Sequence, residues 1–279
     1  MIWVGSYAIG VSGEIMSDLR QKVNQQFGTH AQNYVTSTVH ASGYSLERLL
    51  GLLNVQPGQQ AIDIATGGGH VALGLAKRGA ITTVTDLTPR MLGAARPFIE
   101  ENAGAEHQTR YVQVDGCAIP FADHSFDIVT CRIAPHHFPH VQKFVQECAR
   151  VCKPGGTVGV VDQVAPFERD PARYLNAFER LRDPSHVWEY SQADWEWFYD
   201  VAGLKISHAE ICRNRLEFGW WVKMQNVPAA NVTRLEAMLR QAPRAVAEWL
   251  QPELQDVGAL YFSLWQLILI GKKTPSELD

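Results

Sequence analysis

The 279-residue sequence has neither a disulfide framework nor a zinc cage: its cysteines are Cys117, Cys131, Cys148, Cys152 and Cys212, an odd number with no C-x-x-C. That usage suits a reducing compartment, and a cytoplasmic protein is expected. Cys148 and Cys152, one turn apart, read as small residues on a packed helix face. A basic excess is also missing. With 25 Lys and Arg against 29 Asp and Glu, the formal net charge is -4, which gives no grip on a phosphate backbone, so no nucleic-acid partner is expected. No apolar run reaches the roughly 20 residues of a membrane span. The most apolar segment, "ALYFSLWQLILIG" at 259–271, carries Ser263 and Gln266 and reads as a long buried strand. The opening "MIWVGSYAIGVSGEI" lacks the basic start and the cleavage site of a secretory leader, and Met16 is a second candidate start. Repeats and low-complexity tracts are absent.

What the chain does contain is alternation. Polar helical stretches at about 17–27 and 30–38 and an amphipathic helix at about 42–53 precede the apolar "QAIDIA". A helix at 70–78, the β-rich "AITTVTD", and a helix from Pro89 to about Asn102 follow, with Thr88 placed to cap and Pro89 at the first helical position. "TRYVQVD" and "SFDIVTC" are further strands, "VQKFVQECARV" a helix, "KPGG" a turn and "TVGVVDQ" a fifth strand. Apolar strands separated by helices indicate an α/β fold with a doubly wound parallel sheet. Ligands of such sheets sit beyond the carboxyl ends of the strands, where the strand order reverses.

The first strand runs into "DIATGGGHVAL", 63–73, a glycine loop opening a helix. A dinucleotide fingerprint needs glycines at 65, 67 and 70, whereas the chain has Ala65, Gly67 and His70. Three successive strands end in aspartate: Asp63, Asp86 in "VTDLTPRML", which lies 19 residues beyond Gly67, and Asp115 in "VQVDGCAIPF". That spacing alone leaves a nicotinamide cofactor open. A cradle of acceptors suits a cationic ligand better than a phosphate.

With Asp63 before the loop and only Ala65 departing from G-x-G-x-G, the chain resembles the class I S-adenosylmethionine-dependent methyltransferases, in the group that includes the ubiquinone/menaquinone C-methyltransferases. "FADHSFDIVTCRIAPHHF" and "ECARVCKPGGTVGVVD" resemble that group's fourth- and fifth-strand blocks. The resemblance implies a Rossmann-like seven-stranded sheet, mostly parallel with an antiparallel last strand, plus a helical cap. It implies S-adenosyl-L-methionine as cofactor, with Asp63 toward the ammonium, Ala65 and Gly67 in the loop, and Asp86 on the ribose. Leu87 and Met91 would flank the adenine, Asp115 would take its amino group, and Gly116 or Cys117 would meet the ring. Arg132 joins the cofactor set, and Tyr34 in "FGTHAQNYV" is a candidate for the methionine end. The expected divisions are an N-terminal extension with lid helices at 1–40 and a cofactor-binding core at 41–165. Strands near 204–212 and 259–271 complete that core, and acceptor-binding cap segments occupy 166–203 and 213–257.

A methyltransferase must align its acceptor and exclude water, and it needs a base only where the acceptor loses a proton. The loop "CRIAPHHFPH" offers His136, His137 and His140; by family position His137 is preferred over His136 as the catalytic residue. No carboxylate or cysteine companion has a metal-ligand spacing, so no metal is expected. Trp188, Trp195, Trp197, Trp220 and Trp221 are dense in the cap and suit a small aromatic or hydrophobic acceptor, methylated on oxygen, nitrogen or carbon. His186, Trp220 and Trp221 are the substrate candidates, with Arg182 and Asp183 nearby. The expected partner is that small molecule, with no membrane span, and both monomer and homodimer remain compatible. An S-adenosylmethionine-binding module without turnover and an NAD(P)-dependent oxidoreductase are the alternatives.

Overall fold

The structure, a computed structural model, describes residues 43–255 and 258–274. The expected extension at 1–40, with its helices, Met16 and Tyr34, lies outside the described residues. Strands β1 (Gln60–Ile64), β2 (Ile81–Asp86), β3 (Gln108–Gln113), β4 (Phe126–Arg132), β5 (Cys152–Val164), β6 (Leu204–Glu217), β7 (Glu253–Leu254) and β8 (Leu260–Lys273) make one sheet. Its order is β3-β2-β1-β4-β5-β8-β6, with the two-residue β7 pairing β8. The expected seven strands form this path, and β7 is an eighth, short addition. The first five pair in parallel, while β8 inserts antiparallel between β5 and β6.

Burial follows position in the sheet. Central β1 is buried almost throughout, as a strand covered on both faces must be. Edge strand β6 alternates half-buried and exposed residues along nearly its whole length. Helices α1 (Tyr44–Leu52) and α2 (His70–Ala76) cover one face, packing Leu49, Leu50, Val71 and Leu75 on Ile128 and Ile268. Helix α3 (Pro89–Asn102) continues that layer through Ala95 and Ile99. Thr88 precedes α3 but makes no side-chain cap; its N–H donates to Asp86 Oδ1 at 2.8 Å. Helix α4 (Val141–Val151) covers the opposite face with Phe144, Val145 and Cys148.

Helix α5 (Arg169–Arg182) and the short α7 (Phe218–Lys223), α8 (Ala229–Arg240) and α9 (Arg244–Leu250) gather around a separate apolar cluster containing Phe178, Trp221, Leu235 and Phe262. Three boundaries differ from the sequence expectation. Helix α6 (Gln192–Val201), assigned to the cap segment 166–203, packs Trp195, Phe198 and Tyr199 into the same cluster as Phe144 of α4. The segment from 213 begins as five more residues of β6. The "KPGG" turn lies inside β5 as an irregularity, where Phe126 pairs with Cys152 and Ile128 already with Thr157.

Candidate functional site

Strand order reverses between β1 and β4, and a cleft opens there beyond the strand ends. It encloses about 1140 Å³ including its open mouth. Asp63, Asp86 and Asp115 all line it, as do Ala65, Gly67, Leu87, Met91, Gly116 and Arg132. Cys117 does not: its side chain is buried behind the wall, with its N–H donating to Asp115 Oδ1 at 2.9 Å. Thr66, His70, Val114, Ile133, Ala134 and Phe138 complete much of the lining and were not singled out from sequence.

The two deepest carboxylates are held by short-range donors. Asp63 accepts from the hydroxyls of Thr66 (2.7 Å) and Thr130 (2.8 Å). Asp86 accepts from the N–H groups of Gly67 (3.1 Å) and Thr88 (2.8 Å), which ties the glycine loop to the second strand. Burial nonetheless pushes both pKa values up to about 6, because the desolvated anion outweighs its hydrogen bonds. Arg132 is the nearest compensating charge for Asp63, and burial lowers its own pKa to about 10. The cleft is thus rich in acceptors and short of positive charge, which suits a cationic ligand.

Two residues of the cleft wall carry backbone strain. Ala65 has φ +52° and Ile133 φ +53°, in the left-handed region that costs a β-branched residue most.

After Ile133 a single 3-10 turn, Pro135–His137, presents the two histidines. His136 Nδ1 lies 2.6 Å from Asp162 Oδ1. Burial would depress its pKa, but the Asp162 carboxylate overrides that and holds it above the ordinary value. His137 behaves in the opposite way: burial and then the neighbouring His136 push it well below the ordinary value. Its Nδ1 lies 3.2 Å from both the Ser185 carbonyl and the Ser185 hydroxyl oxygen; that hydroxyl donates its proton to Asp183 Oδ1, so both oxygens accept, which puts the proton on Nδ1 and the lone pair on Nε2. The two neighbours thus differ in the direction of their shifts, upward for His136 and downward for His137. The two also sit differently, since His137 lines the cofactor-sized cleft and His136 does not. His140 caps α4 without a side-chain bond.

A second cavity, about 750 Å³ including its mouth, adjoins the first and shares Ile133 and His137 with it. His136, His186, Trp220 and Trp221 line it, together with Arg182 and Asp183. Most of its other lining side chains are polar, among them Gln163, Glu179, Asn214, Gln225 and Gln266. Flat apolar walls were expected. Trp195 belongs instead to the core and Trp197 is 41% exposed to solvent. Trp221 is engaged by Phe178, stacked at 5.0 Å, and by the Arg182 guanidinium 4.5 Å over its ring. Among the described residues no group of three His, Cys, Asp or Glu could hold a metal ion. No helix of the described residues is long and apolar enough to cross a membrane.

Residues 62–160 match the family described as "Methyltransferase domain". A Bacillus subtilis protein named "Uncharacterized methyltransferase YcgJ" is 32% identical over 77% of this chain and 85% of its own length. The crystal structure of the YcgJ protein superposes with a TM-score of 0.77 at 30% identity, covering 84% of this chain and 99% of that one. The "Demethylmenaquinone methyltransferase" of Corynebacterium glutamicum is 32% identical over 71% of this chain and 85% of its own length. The chain belongs to the class I S-adenosylmethionine-dependent methyltransferases. S-adenosylmethionine is accordingly its cofactor, and the acceptor-rich cleft fits that cation.

Proposed function

We propose that the protein transfers a methyl group to a small molecule bound in the second cavity, with the nucleophile brought to the cofactor past Ile133 and His137. The observation that carries this reading is that two cavities meet at those two residues: one acceptor-rich and cofactor-sized, the other flanked by cap helices. S-adenosylmethionine supplies, when bound, a methyl group already activated on a sulfonium.

The chain's own residues do the rest. Asp63 holds negative charge for the ammonium, and Asp86 offers lone pairs to the ribose hydroxyls. Leu87 and Met91 provide apolar contact for the adenine, while Asp115 and Gly116 border its edge. Arg132 balances Asp63. His137, neutral with a lone pair on Nε2, orients the acceptor by taking a hydrogen bond. His136, steadied by Asp162, can take up a proton where the acceptor loses one. Alignment of the acceptor and exclusion of water are the main contribution, an effect of about 7 to 11 kcal/mol in well-oriented systems. The demethylmenaquinone in the name of the corynebacterial relative is not required by a cavity with this polar lining; a compact acceptor fits it better.

Calorimetry on two variants tests the reading. Asp86→Ala is expected to abolish S-adenosylhomocysteine binding. His137→Ala is expected to retain it while slowing transfer about 100-fold, the lower range for a lost positioning or acid–base group. Unchanged affinity in Asp86→Ala would refute the assignment.

A further inference from the structure

The wall of the second cavity contains buried oxygen atoms that the fold leaves unused. Glu179 Oε1 and Gln225 Oε1 are buried and have no hydrogen-bond partner, and both residues line the cavity. The orientation of the Gln225 amide is fixed by chemistry: its Nε2 donates to Asp183 Oδ2 at 2.9 Å, and a carboxylate can only accept. Asp183 is itself pinned by the Ser185 N–H at 2.8 Å, so Gln225 cannot turn its oxygen inward without losing that bond.

Glu179 is 2% exposed and projects from α5 among Leu175, Asn176 and Phe178, the buried positions of that helix. Burial pushes its carboxyl above the usual range, with Arg182 and His136 pulling it back and Asp183 adding to the rise. Glu189, from the segment after α5, is a second buried carboxyl under the same influence. Gln163 Oε1, in the same wall, is likewise buried without a partner. Native folds seldom leave buried polar atoms unpaired, and three such acceptors in one cavity wall mark a place for a ligand's donors.

We propose that the second cavity takes a polar methyl acceptor bearing at least two hydrogen-bond donors, hydroxyl or N–H, which Glu179 and Gln225 receive. This rests on the methyltransferase reading above and names the acceptor class for it. It adds hydrogen-bond donors to the small aromatic or hydrophobic acceptor expected from the tryptophans. Arg182 and the ionised Asp183 balance one another, so the cavity asks for donors more than for net charge. Trp220, Leu216 and Met224 leave room for a compact apolar frame between the donors.

The experiment is ligand-observed NMR on the full chain saturated with S-adenosylhomocysteine. Its probes are catechol, 2-methoxyphenol and 1,2-dimethoxybenzene, which keep one ring and lose donors one at a time. Catechol is expected to bind in the millimolar range or tighter, and the fully methylated probe at least tenfold more weakly. Glu179→Leu and Gln225→Leu should each erase most of that preference, with the S-adenosylhomocysteine dissociation constant unchanged within twofold by calorimetry. Should Glu179→Leu fail to fold, Glu179→Gln, which replaces one acceptor oxygen by a donor, is expected to weaken catechol selectively. Equal binding of catechol and 1,2-dimethoxybenzene, no binding of catechol, or a preference that survives both substitutions overturns the proposal. Failure of the wild-type chain to bind S-adenosylhomocysteine defeats the methyltransferase reading itself, whereas cofactor binding without donor preference defeats only the acceptor class.

Discussion

Ala65 shows how one methyl group interacts with the demands of a loop. The glycine-rich turn needs φ +52° there, a conformation that costs an L-residue roughly 1–2 kcal/mol. Glycine would remove that strain but add about 0.4–1 kcal/mol of unfolded-state entropy. Ala65→Gly is therefore expected to stabilise the chain by about 0.5 kcal/mol in urea unfolding while leaving cofactor affinity intact; a clear loss of stability would show that the Ala65 methyl packs usefully. Asp63 and Asp86 give a pH prediction. Their folded pKa of about 6 lies above the ordinary 3.8, so between those values the native state binds more protons than the unfolded chain. Stability of the ligand-free protein consequently falls as pH rises from about 4 to about 6 and levels off above. A cationic ligand needs the carboxylates ionised, so S-adenosylmethionine affinity should rise up to about tenfold per pH unit per group toward pH 6 and then flatten. Titrations in two buffers of different ionisation enthalpy should show proton release near pH 6 that Asp63→Asn reduces; affinity independent of pH would contradict it. These acids were legible in the sequence because each ends a strand of a parallel sheet. The same rule, applied to β5 beyond β4, points at Asp162 in "TVGVVDQ". Glu179 and Gln225 were not legible, because their environment is assembled from α5, α7 and the turn after β4. The contrast between His136 and His137 depends on burial and a partner 26 residues away, which adjacency in sequence conceals.

At the scale of elements, the continuous apolar runs identified the central strands, and the helix Pro89–Asn102 was read with both ends correct. Tryptophan density misled, since a cavity wall and a core helix demand the same residues; Trp195 of α6 faces the sheet and Trp221 of α7 the cap. Helix α6 packs on β8 through a close approach at Gly271. A Cβ on Gly271 would stand 2.7 Å from Tyr199 Cδ1, and Tyr199 is fully buried. The ring cannot swing away as a chain end could. Gly271→Ala is expected to cost about 1–3 kcal/mol through overpacking, read as a lower urea midpoint with an unchanged slope. An unaltered midpoint would mean that α6 shifts freely on the sheet.

At the scale of the whole molecule, several local costs meet where the two cavities adjoin. The carboxyl ends of the strands hold Ala65 and Ile133 at positive φ, two aspartates with raised pKa values and the unpartnered Glu179, all at or beside the cavities. The layer below contains the fully buried Ile62, Val129, Phe144 and Ile268 with no such cost. Local opening should start at the costly end, and a ligand bound only to the closed form suppresses it by a factor of 1 + [L]/Kd. At S-adenosylhomocysteine concentrations 100 times Kd, amide exchange is expected to slow up to about 100-fold in residues 65–70, 86–91, 115–117 and 133–138. Amides in the middle of β5 and β8, which exchange only through global unfolding, should slow by no more than the same global factor. In Asp86→Ala none of these segments should respond. Slowing confined to β6 and β8, with the glycine loop unchanged, would place the cofactor elsewhere and separate the strained loops from the site they are argued to form.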